Sequence, residues 1–193
     1  MKNVILTEIK ASLDVKERVL KDAVLIAQLE QLAADSIATL KTGGKIVFCG
    51  NGGSFADAQH LAAELISRLR FDRDALASVA LGTNSSNLSA IGNDYGYEHI
   101  FERELMATCS SADLFIPIST SGNSKNILLA IDAAIAKGMN ICGFTGGTGG
   151  KMKDVCNCLV VPSSVTDKIQ EIHIMFGHIL CHLIESHIFN KNK

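Results

Sequence analysis

The sequence predicts an α/β fold, a doubly wound parallel sheet of five strands that carries a helical extension at its N-terminus. Short apolar runs alternate with longer segments whose apolar residues recur every three or four positions, and this alternation is typical of strands joined by crossover helices. The chain has 193 residues and contains no long polar linker. We therefore predict one domain that spans residues 1–193.

The N-terminal extension is predicted to cover residues 1–42. Apolar residues at helical spacing run from Ile5 to Leu40, which indicates two helices. Thr42-Gly43-Gly44 then ends the second helix, because glycine commonly adopts the left-handed conformation just past a last turn. The α/β core is predicted to occupy residues 43–193.

The core is predicted from five β-type runs and the helical patterns between them. The predicted strands are Ile46–Cys49, Ala77–Leu81, Leu114–Ile118, Asn140–Phe144 and Leu159–Val161. The predicted helices cover residues 54–68, 84–91, 124–137 and 166–188. Ligands of such sheets bind beyond the carboxyl ends of the strands, so the loops that follow the strands are the first places to look for a site.

The loop after the third strand is rich in hydroxyl groups and opens a helix. Four of the six residues between Ser119 and Ser124 are serine or threonine, whereas an ordinary helix cap needs only one such side chain. Hydroxyls and free N–H groups at a helix N-terminus favour a bound anion. We interpret Ser119, Thr120, Ser121 and Ser124 as a phosphate site.

A glycine-rich loop follows the first strand, at Gly50-Asn51-Gly52-Gly53-Ser54. Its glycines let the backbone approach a ligand closely, although a tight strand-to-helix turn would need them as well. The loop is not a dinucleotide fingerprint, because Phe55 stands where that motif requires glycine. The glycine-rich segment Gly146–Gly150 before Lys151 does not match a Walker motif either, because Thr145 and Met152 break it, so we expect no nucleotide cofactor.

Candidate acid/base groups lie on the helices after the first and the last strands. His60 and Glu64 are four positions apart and share one helical face, a spacing that suits metal ligands but also occurs in ordinary surface pairs. On the last helix, Gln170 and His178 are separated by about 80° and about 12 Å, so they would not naturally meet. His173 is the nearer neighbour of Gln170. Spacing alone favours a satisfied core residue for each of these histidines.

Composition and charge exclude several classes of function. The chain has 18 basic and 20 acidic residues and no basic run, so we expect no nucleic-acid partner. Charged residues interrupt the N-terminal stretch and histidines interrupt residues 172–189, so neither a signal-peptide core nor a bilayer span is predicted. We expect a cytoplasmic protein with no membrane partner and six reduced cysteines, in which Cys156 and Cys158 point apart.

Five strings together, in this order, resemble one known family. They are Cys49-Gly-Asn-Gly-Gly-Ser54, His60-x-x-x-Glu64, Gly92-Asn-Asp94, Ile118-Ser-Thr-Ser-Gly-Asn-Ser124, and Asp167-x-Ile-Gln-Glu-Ile-His173 with His178. The ordered set covers nearly the whole chain and resembles the phosphoheptose isomerases of the sugar-isomerase (SIS) domain group, whose sheet is flavodoxin-like. Each string alone is weak, but the set is specific.

The resemblance implies an activity and a role for each matching residue. The reaction would convert sedoheptulose 7-phosphate to D-glycero-D-manno-heptose 7-phosphate, the first step toward the activated heptose of lipopolysaccharide and other surface polysaccharides. Glu64 and His178 would transfer protons, and one zinc ion per subunit would be bound by His60, Glu64, Gln170 and His178. The substrate would contact Asn51, Gly52, Gly53, Ser54, Glu64, Asn93, Asp94, Ser119, Thr120, Ser121, Ser124, Asp167 and Gln170.

The resemblance also implies a homotetramer with active sites at the subunit interfaces, so that the metal ligands need not all come from one chain. An alternative function remains open at this point. The stretch from Leu81 to Asp94 also resembles a non-catalytic SIS-domain regulator of replication initiation, which binds the initiator protein as a tetramer. Glu64 and His178 favour the isomerase, because the regulator lacks this acid/base set.

Overall fold

The computed structural model describes residues 1–189, in which two N-terminal helices precede a five-stranded sheet flanked by helices. The strands are β1 (Ile46–Gly50), β2 (Ser78–Ala80), β3 (Leu114–Ile118), β4 (Asn140–Gly146) and β5 (Asn157–Val161). The helices are α1 (Lys2–Lys21), α2 (Ala23–Lys41), α3 (Gly53–Ile66), α4 (Ser85–Asp94), α5 (Ile100–Thr108), α6 (Lys125–Ala136), α7 (Met152–Val155) and α8 (Thr166–Ile188), with a 3-10 turn at Tyr97–His99.

The sheet is entirely parallel, in the order β2-β1-β3-β4-β5. The chain order reverses between β1 and β3, and the crevice beyond such a reversal is where ligands bind in doubly wound sheets. Gly50 is in register with Ile118. The glycine loop after β1 and the hydroxyl loop after β3 therefore leave the sheet side by side.

The sheet is buried on both faces, which explains why its strands read as continuous apolar runs. On one face, Ile46 and Phe48 of β1 belong to a core that includes Leu61 of α3 and Phe176 of α8. On the other face, Val47 and its alternating neighbours pack in a second core with residues of α5 and α6. Helices α3 and α8 thus lie on the same side of the sheet.

Helix α2 completes the first core. Asp22 caps the helix by accepting a hydrogen bond from the Leu25 N–H at 3.0 Å, as acidic caps commonly do. By length and composition, α2 is the one helix within residues 1–189 that could cross a bilayer. Leu25, Leu29 and Leu32 are nevertheless buried in the core beside α8, so one face of the helix packs against the protein.

The predicted fold class is confirmed, and the last helix has the predicted bounds. The prediction missed α5 and α7, and it placed the start of β5 two residues late. The prediction that Cys156 and Cys158 point apart is wrong, since their sulfur atoms lie 3.7 Å apart. Residues two positions apart in an extended segment share a face. The single domain at 1–193 stays a prediction, and residues 190–193 lie outside the described residues.

Candidate active site

Three of the predicted site residues converge where α3 packs against α8. The His60 Nε2 atom lies 2.9 Å from Nε2 of His178 and 3.1 Å from a carboxylate oxygen of Glu64. One ligand-capable atom from each residue lies within 4.8 Å of the other two. The chain therefore brings a carboxylate and two imidazoles together from positions more than one hundred residues apart.

Gly177 explains why the two helices approach so closely at this point. A Cβ atom added at Gly177 would lie 2.3 Å from the side chain of Leu61, which is fully buried. Only a residue without a side chain permits this packing distance. Because Leu61 follows His60 and Gly177 precedes His178, the close contact brings the two imidazoles together edge to face, with ring centroids 5.0 Å apart and an interplanar angle of 70°.

The three side chains of the cluster are placed as ligands of one metal ion would be. Ligand atoms about 2.0–2.1 Å from a tetrahedral zinc ion lie about 3.3 Å from one another, close to the 2.9 and 3.1 Å seen here. Histidine and carboxylate are ligands that zinc accepts. Within residues 1–189, no other group of three histidine, cysteine, aspartate or glutamate side chains meets this spacing.

Gln170 lies at the other end of the site. A Cβ added at Gly53 would lie 2.6 Å from the Gln170 amide nitrogen, so this glutamine packs on the first turn of α3. Among the described residues, no hydrogen bond joins Gln170 to His60, Glu64 or His178. The expected separation of Gln170 from His178 along α8 agrees with this arrangement.

The hydroxyl loop places several polar side chains at the start of α6. The Ser119 and Ser124 hydroxyl oxygens lie 3.1 Å apart, and the Ser121 hydroxyl accepts a hydrogen bond from the Asn123 N–H. Ser124 precedes α6, but its side chain does not cap the helix. Thr120 and Ser121 also line a cavity of about 310 Å³ that is bounded by the start of α8. This arrangement can accept an anion.

Asn51 is held in a network that the sequence did not reveal. The amides of Asn51 and Asn126 exchange two hydrogen bonds, of 2.9 and 2.8 Å. The Tyr97 hydroxyl donates a third, at 3.0 Å, to the Asn51 amide oxygen. Both acceptor positions of that oxygen are then occupied, and one amide N–H remains for a ligand. No sequence motif marks Tyr97 or Asn126.

The other predicted substrate contacts lie near the loops or away from the cluster. Ser54 is buried in the first turn of α3, and Gly52 has a φ of +55° just before it. Asn93 donates a hydrogen bond to Asp94 at the exposed end of α4. Asp167 pairs with Lys168 at 3.0 Å. Within the described part of the chain, no hydrogen bond connects Asn93, Asp94 or Asp167 to the three-residue cluster.

His173 is a core residue and not a member of the site. Its Nε2 atom lies 3.1 Å from the carbonyl oxygen of Thr145, and burial lowers the pKa of its imidazole to about 4.

Asp57 lies one turn before His60 on α3, and no sequence pattern marked it. Burial raises the pKa of its carboxyl group, and the nearby His60 opposes this rise.

Comparison with known proteins identifies the class. A family model described as "SIS domain" matches residues 9–146, so the chain is a SIS-domain protein. The chain is 51% identical to the phosphoheptose isomerase of Aneurinibacillus thermoaerophilus over 194 residues, covering 100% of this chain and 98% of the relative. It is 47% identical to that of Clostridium acetobutylicum, covering 99% and 98%. The chain belongs to the phosphoheptose isomerase family.

A solved structure agrees with this assignment. The phosphoheptose isomerase from Neisseria gonorrhoeae matches with a TM-score of 0.89 and 39% identity, covering 96% of this chain and 98% of that chain. The resemblance inferred from the five sequence strings is therefore confirmed. The alternative of a replication-initiation regulator is not supported by these relatives.

Proposed function

We propose that this protein is an aldose–ketose isomerase that converts sedoheptulose 7-phosphate to D-glycero-D-manno-heptose 7-phosphate. The observation that carries the proposal is the convergence of His60, Glu64 and His178 in a chain that is 51% identical to a phosphoheptose isomerase. The product would enter the synthesis of activated heptose for lipopolysaccharide and other surface polysaccharides. We assign the enzyme to the cytoplasm.

The reaction moves a carbonyl group between C2 and C1, which requires two proton-transfer groups. A base removes a carbon-bound proton to form an enediol or enediolate, and an acid serves the two oxygens. We assign these roles to Glu64 and His178. The Nε2 atom of His60 lies 2.9 Å from His178 and 3.1 Å from Glu64, so the two proton-transfer groups flank one point between α3 and α8.

A zinc ion bound by His60, Glu64, Gln170 and His178 would polarise the carbonyl and stabilise the developing oxyanion. His60, Glu64 and His178 already lie at the spacing of metal ligands. The amide oxygen of Gln170 is a weaker but acceptable ligand for a catalytic centre. Its inclusion follows from the family resemblance.

The remaining residues bind and orient the substrate. We assign the phosphate to Ser119, Thr120, Ser121 and Ser124, because they directly precede a helix N-terminus that has no side-chain cap. Anchoring the remote end of the sugar converts that binding into orientation at the reacting carbons. The sugar would contact Asn51, Gly52, Gly53, Ser54, Asn93, Asp94, Asp167 and Gln170.

We further propose a homotetramer with its active sites between subunits. Asn93 and Asp94 lie exposed at the end of α4, where a second subunit could complete a site. Helix α1 also exposes a series of large apolar residues that an interface would cover. These residues are Val4, Ile5, Leu6, Ile9, Leu13 and Leu20.

The test is to incubate the purified protein with sedoheptulose 7-phosphate and to follow the aldose by NMR. Samples treated with a chelator, and samples reloaded with zinc, are measured beside the untreated protein. The aldose should appear, chelation should stop its formation without unfolding the chain, and zinc should restore it. Full activity in exhaustively metal-free protein would exclude the metal role. An unchanged sugar in every sample would exclude the isomerase.

A further inference from the structure

Arg73 lies in the connection between α3 and β2 and folds back beneath the C-terminal end of α3. Its guanidinium donates hydrogen bonds to the carbonyl oxygen of Glu64 at 2.8 Å and to that of Leu65 at 2.7 Å. It donates a further bond to the Ser67 carbonyl at 3.0 Å. The last carbonyls of a helix have no partner within the helix, and a cation there is favourable. Arg73 therefore fixes the turn of α3 that contains Glu64.

The carboxylate of Glu185, on α8, forms an ion pair with the same guanidinium. The Arg73 Nε atom donates to a Glu185 carboxylate oxygen at 3.1 Å, and the two side chains are only 2% and 0% exposed. The carboxylate also accepts the backbone N–H groups of Leu69 and Arg70. The pair is thus buried and well supplied with hydrogen bonds, the condition under which removing one partner is most costly.

The pair connects the two helices that form the active-site cluster. Glu185 follows His178 by seven residues and so lies on the same face of α8, about two turns further along. Arg73 is bound to the backbone of Glu64 itself. A helix cap alone would need only the α3 carbonyls, whereas this guanidinium is also tied to α8.

We propose that Arg73 and Glu185 are positioning residues that fix α3 against α8 and so hold Glu64 and His60 at His178. The two residues act through the helices and do not touch the substrate. Where activity or zinc affinity is measured, the proposal rests on the proposed function. The ring-nitrogen signals in metal-free protein depend only on the position of the side chains.

The test compares Glu185→Gln and Arg73→Lys with Asp113→Asn. Asp113 is a matched control, because its buried carboxylate also accepts two backbone N–H groups, from Lys45 and Ser110, and one cation, from Lys45. It precedes β3, at the amino edge of the sheet, away from the cluster. Zinc affinity is measured by chelator competition on protein whose fold is verified by circular dichroism. The ring-nitrogen NMR signals of His60 and His178 are measured in metal-free protein.

We expect Glu185→Gln to weaken zinc binding by roughly 10- to 100-fold, the scale seen when residues that orient metal ligands are changed. It should also remove the change in the ring-nitrogen NMR signals that results from the contact between His60 and His178. In the activity assay, it should lower kcat more than it raises KM. Arg73→Lys, which keeps the charge but not the planar fork, should show a smaller loss. Asp113→Asn should lower the unfolding midpoint and leave zinc affinity and the ring signals unchanged.

The proposal would be overturned if folded Glu185→Gln and Arg73→Lys kept wild-type ring signals and zinc affinity, or if Asp113→Asn disturbed them equally. If Glu185→Gln does not fold, the zinc affinity and ring signals of Arg73→Lys test the proposal. A wild type that fails to isomerise the sugar would count against the proposed function only, because the ring signals in metal-free protein need neither zinc nor substrate.

Discussion

At the scale of single residues, the surroundings of a histidine decide what it can do. His173 and His178 lie five positions apart on α8. His173 is buried against Phe144 and the Thr145 carbonyl, where charging the imidazole would require desolvating a cation. His178 faces His60 and Glu64 across the site. The first histidine stabilises the core only in its neutral form, whereas the second lies beside two polar side chains.

This contrast predicts how stability depends on pH. The unfolded chain protonates His173 near pH 6.5, whereas burial lowers the folded-state pKa to about 4. Because the unfolded state then binds more protons, the free energy of unfolding should decrease as the pH falls from about 6.5 to about 4. Urea unfolding at several pH values should show a smaller decrease in His173→Gln.

His187→Gln is the control for this measurement, since His187 is an exposed histidine at the end of the same helix. Its pH dependence should follow that of the wild type. An undiminished decrease in His173→Gln would show that His173 does not contribute to this pH dependence.

Sequence reasoning could reach these residues only in part. Spacing alone did not separate His173 from His178, because burial is set by the packing of α8 against the sheet and α3. The family resemblance selected His178 and Glu64. Nothing in the sequence pointed to Tyr97 or Asn126, whose contacts with Asn51 join segments up to 75 residues apart.

At the scale of elements, the site depends on how closely α3 approaches α8. The fully buried Leu61 occupies the space beside Gly177. A methyl group at Gly177 would push the two helices apart, even though alanine is the better helix former by about 1 kcal/mol. The separation of His60 from His178 would then increase.

We therefore expect Gly177→Ala to lower both the unfolding midpoint and the affinity for zinc, as measured by thermal unfolding and by chelator competition. Gly92→Ala is the control, because Gly92 is also helical and an added Cβ there meets nothing within 4 Å. It should leave the midpoint unchanged or raise it. Equal zinc affinity in Gly177→Ala and the wild type would contradict the role given to this contact.

The elements themselves were predictable wherever local signals were strong. Periodic apolar residues predicted α8, and apolar runs predicted all five strands. Helix α5 was missed because His99 at its start provides no side-chain cap, and because it directly follows a 3-10 turn. This helix is stabilised by the burial of Ile100, Phe101 and Leu105. No local sequence pattern predicted that burial.

At the scale of the whole molecule, α1 exposes apolar surface that packing within one chain does not bury. Of its 20 residues only Val15 and Val19 are buried. Exposed apolar surface of this extent is typical of an interaction site. In the proposed tetramer, this face of α1 would be covered by another subunit.

Light scattering coupled to gel filtration should therefore give four times the mass of one chain. Ile9→Lys should dissociate the assembly, because it places a charge on the apolar face of α1. Thr7→Lys introduces the same side chain at an exposed polar position of the same helix and should leave the mass unchanged. A monomeric wild type at micromolar concentration would exclude the tetramer.

We propose that the cluster on α3 and α8 performs the isomerisation, and variants of its residues test this role most directly. The measurement is the turnover of sedoheptulose 7-phosphate by the wild type, Glu64→Gln, His178→Asn and Glu102→Gln under identical conditions. Glu102 is a matched control, since it forms a similar histidine–glutamate pair with His99 on another helix.

Glu64→Gln and His178→Asn should each lower kcat by on the order of 10² or more, whereas Glu102→Gln should retain wild-type turnover. Near-normal turnover in folded Glu64→Gln or His178→Asn would contradict the proton-transfer role of that residue and, if seen in both, the account of the active site.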